Sequence, residues 1–269
     1  MKSNLQDIFS IKKYLENINY SDAYRIAKEI SSFLTNNRSL IKEDIFKRLK
    51  SGEPWEYIKG NTQFCGFTFK VTKDTLIPRV ETEQLVYECK DIIEKNSIKN
   101  VVDVGTGSGC IILSLTRLLK SNPYSFYALD ISSKALTIAK YNEKVLLEER
   151  KIKWLKSNLI TNLPKLSGDT IIIANLPYIP TSMYENLDKS VKEYEPKIAL
   201  EGGVDGLKSY NPLFNQILNR NLKPKYVYFE TEESIIKESK NLVKKYFPIS
   251  KIDIIKDCFD KDRFIKISL

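Results

Sequence analysis

From residue 100 onward, short apolar runs alternate with longer segments whose apolar side chains recur at helical spacing. The short runs predict strands at residues 101–104, 126–129, 151–155, 170–174, 225–229 and 263–269. Helical segments lie between them, for example at residues 110–119 and 134–147. Strands that alternate with helices in this way form a mostly parallel sheet with helices on both faces, so the predicted fold class is α/β.

The beginning of the chain follows a different pattern. Its apolar side chains recur at helical spacing, as at Ile8, Ile11 and Leu15, and no catalytic residue type stands out. Residues 63–72 then largely alternate apolar and polar side chains, which predicts a short β-hairpin. We therefore expect a helical domain at residues 1–60, a hairpin linker at residues 61–80 and the α/β domain at residues 81–269.

The composition narrows the possible chemistry. The chain contains no histidine, and none of its four cysteines is paired with another at metal-ligand spacing. This argues against a zinc site, a Ser-His-Asp triad and a Cys-His dyad, and we expect no bound metal. The formal net charge of +9 would suit an acidic partner such as RNA, but the lysine-rich composition of the whole chain accounts for it as well.

The sequence also bears on location. It contains no apolar run of the roughly 18 to 20 residues that a membrane-spanning helix needs. Its first residues lead into a polar, periodic segment and not into the apolar stretch of a signal peptide. We therefore expect a cytoplasmic protein that makes no contact with a membrane. The composition does not demand an oligomer, so we expect a monomer.

A glycine-rich loop at residues 103–109, Asp-Val-Gly-Thr-Gly-Ser-Gly, follows a predicted strand and opens a predicted helix. Glycines allow close approach to a ligand, and the helix N-terminus offers free N–H groups. Alone, such a loop can hold a dinucleotide, a phosphate or S-adenosylmethionine. Asp103 favours the last, because its carboxylate would repel a pyrophosphate but attract the ammonium group of the cofactor's methionine end. Asp130 ends the next strand, where a carboxylate can accept hydrogen bonds from both ribose hydroxyls of S-adenosylmethionine or of NAD.

A second loop, Asn175-Leu176-Pro177-Tyr178, follows the strand predicted at residues 170–174. Open α/β sheets place their active sites at this end of their strands. An amide or aromatic amino nitrogen is a poor nucleophile, because its lone pair is delocalised. The side-chain oxygen of Asn175 and the backbone carbonyl of Leu176 can accept its two N–H groups, and the Tyr178 ring can pack on the planar group. Catalysis of methyl transfer to such a nitrogen is mostly positioning and requires no strong base, which suits a chain without histidine.

This reaction loop resembles the Asn-Pro-Pro-Tyr motif of amino-group methyltransferases. They include adenine DNA methyltransferases and the glutamine methyltransferases of peptide chain release factors, the PrmC/HemK family. Three further segments resemble the second group: Gly52-Glu53-Pro54, the entry segment at residues 76–83, and the block at residues 194–207. The resemblance covers roughly residues 50–230.

The resemblance implies a Rossmann-like class I methyltransferase domain of seven strands, preceded by a small helical domain. It implies S-adenosylmethionine as cofactor and the glutamine of the Gly-Gly-Gln motif in release factors as substrate, with no requirement for nucleic acid. The expected cofactor-binding residues are Asp103, Gly105, Thr106, Gly107, Gly109, Asp130, Asn158 and Asn175. The residues expected to hold the glutamine amide are Asn175, Leu176, Pro177 and Tyr178. Of these, Asn175, Pro177 and Tyr178 are the expected catalytic residues.

The chain departs from the family pattern within the expected site. Leu176 stands where the family usually has proline, which removes a fixed φ and adds an N–H group. Asn158 stands where the family usually has an aspartate that would meet the adenine amino group, and its side-chain oxygen can still accept one hydrogen bond. Residues 230–233, Glu-Thr-Glu-Glu, lack the glycine and glutamine expected after the fifth strand.

Two other hypotheses stay open. An adenine-amino methyltransferase acting on nucleic acid would use the same loop chemistry and suit the net charge of +9, although the sequence shows no separate target-recognition domain. A cofactor-binding module that has lost catalysis would explain the changes at Leu176 and Asn158. Arg79, near the junction of the two domains, has two interpretations as well: an ion pair between the domains or a contact with the substrate loop.

Overall fold

The computed structural model of the chain describes residues 5–20, 22–36, 42–119, 124–149 and 151–269. Its first helices are α1 (Leu5–Asn17), α2 (Ala23–Asn36), α3 (Lys42–Lys50) and α4 (Trp55–Lys59). Each turns one apolar stripe inward, and these stripes form a hydrophobic cluster of their own around Leu15, Ile30 and Trp55. Trp55 is completely buried, and its indole N–H donates to Glu29 at 2.9 Å.

A β-hairpin follows the helices. Strands β1 (Asn61–Phe64) and β2 (Phe67–Lys70) pair antiparallel, as the alternation at residues 63–72 predicts. Cys65 and Gly66 form the tight turn with φ of 49° and 77°. Helix α5 (Glu81–Lys95) then begins the α/β part of the chain.

Within the described residues, a seven-stranded sheet forms the centre of the α/β part. Its strands are β3 (Asn100–Val104), β4 (Ser125–Asp130), β5 (Ile152–Lys156), β6 (Thr170–Ala174), β7 (Tyr226–Glu230), β8 (Lys251–Lys256) and β9 (Asp262–Ser268). They lie in the order β5-β4-β3-β6-β7-β9-β8, and β9 runs antiparallel to both of its neighbours. The predicted mostly parallel, Rossmann-like sheet is confirmed.

The remaining helices are α6 (Cys110–Leu118), α7 (Ser133–Leu146), α8 (Thr181–Tyr184), α9 (Lys189–Tyr194), α10 (Tyr210–Asn219) and α11 (Ile236–Tyr246). The central strands are buried on both faces because helices cover each side. Val101 belongs to the cluster beside α5 and α6, whereas its neighbour Val102 belongs to the cluster beside α10 and α11. In the described part of the chain, no helix has both the length and the apolar character needed to cross a membrane.

Several elements differ from the sequence prediction. Strand β8 and helices α8, α9 and α10 were not predicted, and helix α11 begins at Ile236 after a short 3-10 turn. Strand β8 lies at the sheet edge and is largely exposed, so it lacks the apolar run that marks the central strands. The domain limits at residues 60 and 80 stay a prediction.

Candidate active site

A cavity opens above the carboxyl ends of β3, β4, β5 and β6, where the strand order reverses beside β3. Most of the predicted site residues line it: Gly105, Thr106, Gly107, Asp130, Asn158, Asn175, Leu176 and Pro177. Asp103, Gly109 and Tyr178 do not line it. The fold therefore brings the glycine-rich loop and the reaction loop to one cavity, although they are about seventy residues apart in sequence.

The glycine-rich loop is held against the sheet by its own backbone. The N–H groups of Gly105 and Thr106 both donate to the carbonyl of Leu129, at 2.8 and 3.0 Å. Gly105 has a φ of +76°, and a Cβ there would lie 2.7 Å from Cδ2 of Leu176. Glycine is needed here for the backbone conformation and for the close approach of the two loops.

Gly109 is buried beneath the glycine-rich loop, and its contact with the cofactor stays a prediction. A Cβ at this position would lie 3.0 to 3.2 Å from side chains of Leu113, Trp154 and Ala139, so the residue faces the interior beneath the loop. Its φ is +80°, and it precedes the first turn of α6. Close packing of the helix against the sheet therefore explains this glycine.

Asp103 lies fully buried beneath the loop. One carboxylate oxygen accepts a hydrogen bond from the Thr106 hydroxyl at 2.6 Å, and the other has no hydrogen-bond partner among the described residues. Burial raises the pKa of Asp103 to about 7, and the nearby charge of Asp130 acts in the same direction. The expected contact with an ammonium group stays a prediction, and the unpaired oxygen is the atom available for it.

Asp130 ends β4 at the cavity wall. Its two carboxylate oxygens accept from the N–H groups of Gly107 at 2.9 Å and Ser132 at 2.8 Å. Burial raises the pKa of Asp130, and these backbone hydrogen bonds oppose the shift. Each oxygen retains a further lone-pair direction, so the carboxylate can still accept two ligand hydroxyls. Asn158, two residues after β5, lines the same cavity and is exposed.

Asn175 is held in one orientation by groups behind it. Its side-chain N–H₂ group donates to the Glu230 carboxylate at 3.0 Å, with a longer contact of 3.4 Å to the Thr82 hydroxyl. Because the nitrogen faces these partners, the side-chain oxygen is the atom left to meet a ligand.

Glu230, at the end of β7, was not predicted as a site residue. It is 2% exposed, and it also accepts hydrogen bonds from the hydroxyls of Thr82 and Tyr178, both at 2.8 Å. Burial raises the pKa of Glu230, although these donors oppose the shift. The sequence signal was available: a carboxylate follows a buried strand next to the one that carries the reaction loop.

Tyr178 points its hydroxyl away from the cavity, toward Glu230. Burial, together with the charge of Glu230, raises the pKa of Tyr178 well above its ordinary value, so the phenol is a hydrogen-bond donor. The expected packing of its ring on a planar substrate group stays a prediction.

Leu176, which stands where the family usually has proline, is buried, and its additional N–H group has a hydrogen-bond partner. Its N–H group donates to the Tyr210 hydroxyl at 3.2 Å. That hydroxyl in turn donates to the backbone carbonyl of Glu230 at 2.5 Å. Tyr210 therefore satisfies the additional N–H group and ties the reaction loop to β7.

Arg79 lines the cavity and pairs with Glu195 at 2.5 Å. The Glu195 side chain is 1% exposed and also accepts from the N–H group of Ile77 at 3.1 Å. Glu195 belongs to the block that follows the reaction loop, so the ion pair joins this block to the entry segment at residues 76–83. A contact of Arg79 with the substrate loop stays a prediction.

The block after the reaction loop folds back onto it. Ile179 donates to the carbonyl of Leu200 at 3.0 Å and accepts from Gly202 at 2.8 Å. A Cβ on Gly206, whose φ is +74°, would lie 2.4 Å from the carbonyl oxygen of Tyr178. Glycine at this position therefore permits the block to cross directly over the reaction loop.

Known methyltransferases are similar to this chain in sequence. The family model of ribosomal protein L11 methyltransferase (PrmA) matches residues 81–201. The release factor glutamine methyltransferase of Flavobacterium psychrophilum is 36% identical, over 87% of this chain and 82% of that protein. The Bacillus subtilis enzyme of the same name is 33% identical over 90% and 87%, and that of Lactococcus lactis is 29% identical over 99% and 96%.

Solved structures share the fold at low sequence identity. The hMettl16 catalytic domain in complex with MAT2A 3'UTR hairpin 6 has a TM-score of 0.59 and 17% identity, over 75% of this chain and 74% of that one. The N-terminal domain of human METTL16 in complex with SAH has a TM-score of 0.53 and 16% identity, over 76% of each chain. These two show the fold alone, whereas the relatives show the family. The chain therefore belongs to the release factor glutamine methyltransferase family and is a methyltransferase whose cofactor is S-adenosylmethionine.

Proposed function

We propose that this chain methylates the side-chain amide nitrogen of the glutamine in the Gly-Gly-Gln motif of peptide chain release factors. One observation carries the proposal: the Asn175 nitrogen is engaged by Glu230 and Thr82, so an oxygen is left for the cavity. A site that presents acceptors recognises a group that offers N–H donors. The names of the relatives supply the release factor as the protein that bears this group.

The residues present fit S-adenosylmethionine. Asp130 would hold the ribose hydroxyls, because its two oxygens keep free lone pairs beside the cavity. The loop at Gly105 and Gly107 would lie against the methionine end, with Asn158 beside the adenine. When bound, the cofactor supplies an electrophilic methyl group.

The reaction loop would orient the nucleophile. The side-chain oxygen of Asn175 and the backbone carbonyl of Leu176 accept the two N–H groups of the glutamine amide, which directs the nitrogen lone pair toward the methyl group. Pro177 and Tyr178 would hold the planar amide from the side. The nitrogen becomes acidic once it is methylated, and its proton leaves to water. Most of the rate enhancement therefore comes from positioning.

The replacement of proline by Leu176 is compatible with this arrangement. Its carbonyl is retained, and its N–H group is satisfied by Tyr210. We therefore expect an active enzyme and not a module that has lost catalysis. Cytoplasmic location and a monomeric state stay predictions.

The test is transfer of a labelled methyl group from S-adenosylmethionine to a purified release factor, with no nucleic acid added. A copy of the release factor whose Gly-Gly-Gln glutamine is changed to alanine serves as the control substrate. We expect label in the first protein and none in the second, and mass spectrometry should place one methyl group on the glutamine. Asn175→Ala should abolish transfer, because it removes the side-chain acceptor for the substrate N–H group.

Other outcomes would redirect the assignment. Cofactor binding without transfer to the release factor would overturn the proposal, and label in an adenine-containing oligonucleotide would then support the nucleic-acid alternative. If the folded chain bound cofactor but labelled neither the release factor nor the oligonucleotide, the module that has lost catalysis would be favoured.

A further inference from the structure

Three hydrogen-bond donors converge on the buried carboxylate of Glu230. The hydroxyls of Thr82 and Tyr178 and the side-chain N–H₂ group of Asn175 donate to it at 2.8, 2.8 and 3.0 Å. They come from α5 and the reaction loop, which meet only through the tertiary fold. The Glu230 carboxylate is therefore the hydrogen-bond acceptor that these three side chains share.

Among the residues that the structure describes, no cation donates to the Glu230 carboxylate. Arg263, the arginine that influences it electrostatically, instead pairs with Glu232 and Asp257, each at 3.1 Å. A buried carboxylate served only by neutral donors carries a large desolvation cost. An apolar side chain would remove that cost, but it would leave all three donors without an acceptor.

A carboxylate at position 230 also constrains the orientation of its neighbours differently from glutamine, its neutral isostere. A carboxylate only accepts hydrogen bonds, so every group that it contacts must turn a donor toward it. A glutamine at the same position would turn an N–H₂ group toward part of this cluster. That group would attract the Asn175 oxygen away from the cavity and present the Asn175 nitrogen to the ligand.

We propose that Glu230 is a positioning residue, whose carboxylate fixes the amide orientation of Asn175 and so turns an acceptor toward the substrate nitrogen. This inference rests on the proposed function, because it explains how the reaction loop selects an N–H₂ group. Tyr210 supports the arrangement by donating to the backbone carbonyl of Glu230 at 2.5 Å. Glu230 itself lies behind Asn175 and does not line the cavity.

A swap of donor and acceptor tests the proposal. In Glu230→Gln, we expect kcat for release-factor methylation to fall by about 100-fold, as a misplaced catalytic group would cause. Asn175→Asp should also lose activity, because it places two carboxylates in direct contact. In the double variant the new glutamine can donate to the new aspartate, which returns an acceptor oxygen to the cavity. The double variant should therefore exceed both single variants by at least about tenfold in kcat.

A nearby acid provides the matched control. Glu232 lies two residues along the chain and pairs with Arg263 at 3.1 Å. Glu232→Gln removes the same charge without touching Asn175, so it should change kcat by no more than about twofold. A purely structural role for Glu230 would make the double variant no better than the worse single variant, and that result would overturn the proposal.

A second readout does not need the substrate. In ¹⁵N-labelled protein, the side-chain amide signal of Asn175, assigned by its loss in Asn175→Asp, should show one proton shifted downfield by its hydrogen bond to a carboxylate. This shift should disappear in Glu230→Gln and persist in Glu232→Gln. If the wild-type chain does not methylate a release factor, the proposed function fails. The Asn175 signal still shows whether Glu230 fixes the orientation of the Asn175 amide. An Asn175 signal that is identical in wild type and Glu230→Gln would contradict the positioning role.

Discussion

At the scale of single residues, position 176 shows how the fold accommodates a departure from its family's motif. A leucine in place of proline adds an N–H group in a buried loop, and such a group is costly if it has no partner. The Tyr210 hydroxyl accepts from it at 3.2 Å and donates to the carbonyl of Glu230 at 2.5 Å. One hydroxyl therefore satisfies two buried backbone groups, one in the reaction loop and one at the end of β7.

This contact predicts the effect of removing the hydroxyl. Tyr210→Phe should lower the free energy of unfolding by about 1–3 kcal/mol, because it leaves a buried donor and a buried acceptor unpaired. The loss should be smaller in a Leu176→Pro background, where the donor no longer exists. Urea denaturation of the four proteins in this cycle measures the difference. Tyr246→Phe, which removes an exposed hydroxyl bonded to Asn211, is the control and should have little effect. Equal losses in both backgrounds would show that the hydroxyl does not serve the Leu176 N–H group.

At the scale of elements, the site depends on two loops that leave adjacent parallel strands, β3 and β6, at the same edge. They touch where Gly105 meets the Leu176 side chain. The reaction loop is therefore positioned partly by the cofactor loop, and a change in one is expected to reach the other.

A pair of glycine substitutions separates this contact from backbone strain. Gly105 and Gly66 have nearly the same φ, +76° and +77°, but only Gly105 has a neighbour within 4 Å of an added Cβ. Gly66→Ala should cost about 1–2 kcal/mol from the left-handed conformation alone. Gly105→Ala should cost about 1–3 kcal/mol more through overpacking, and it should also weaken cofactor binding. Urea denaturation and calorimetric titration measure both effects. If the two variants lost the same stability and bound cofactor equally, the contact between the loops would have no energetic role.

At the scale of the whole molecule, polar contacts join the helical part and the linker to the α/β part. The Tyr194 hydroxyl contacts the Ser51 hydroxyl at 2.9 Å, and Arg79 pairs with Glu195 at 2.5 Å. Glu195 is nearly inaccessible, whereas 35% of the Arg79 side chain is exposed. The block that covers the reaction loop is thereby tied to the segment that enters the α/β part.

The ion pair predicts an asymmetric loss of stability. Arg79→Met leaves the Glu195 charge buried without its partner and should lower the free energy of unfolding by about 2–4 kcal/mol. Adding Glu195→Gln removes that charge, so the double variant should recover part of the loss. Thermal and urea unfolding of the two proteins beside wild type provide the measurement. If Glu195→Gln lowered the free energy of unfolding of Arg79→Met further, as an independent destabilising substitution would, the two side chains would not be coupled.

The sequence by itself determined the elements whose signals are local. Apolar runs predicted six strands of the sheet, and because five of them, β3 to β7, run parallel, their carboxyl ends lie at one edge. For this reason the glycine-rich loop, Asp130, Asn158 and the reaction loop could be assigned to one site before any contact was known. Strand β8 was not predicted, because an exposed edge strand lacks the apolar run that marks a buried strand.

Only the tertiary structure decided how those loops are held. Glu230 contacts Thr82 and Asn175 across 148 and 55 residues of sequence, and Tyr210 reaches Leu176 across 34. It also showed that Asp103 and Gly109 are buried beneath the glycine-rich loop. A local pattern states which residues follow a strand. The direction of a side chain, and the partner that satisfies a buried donor, depend on packing between segments that the pattern does not relate.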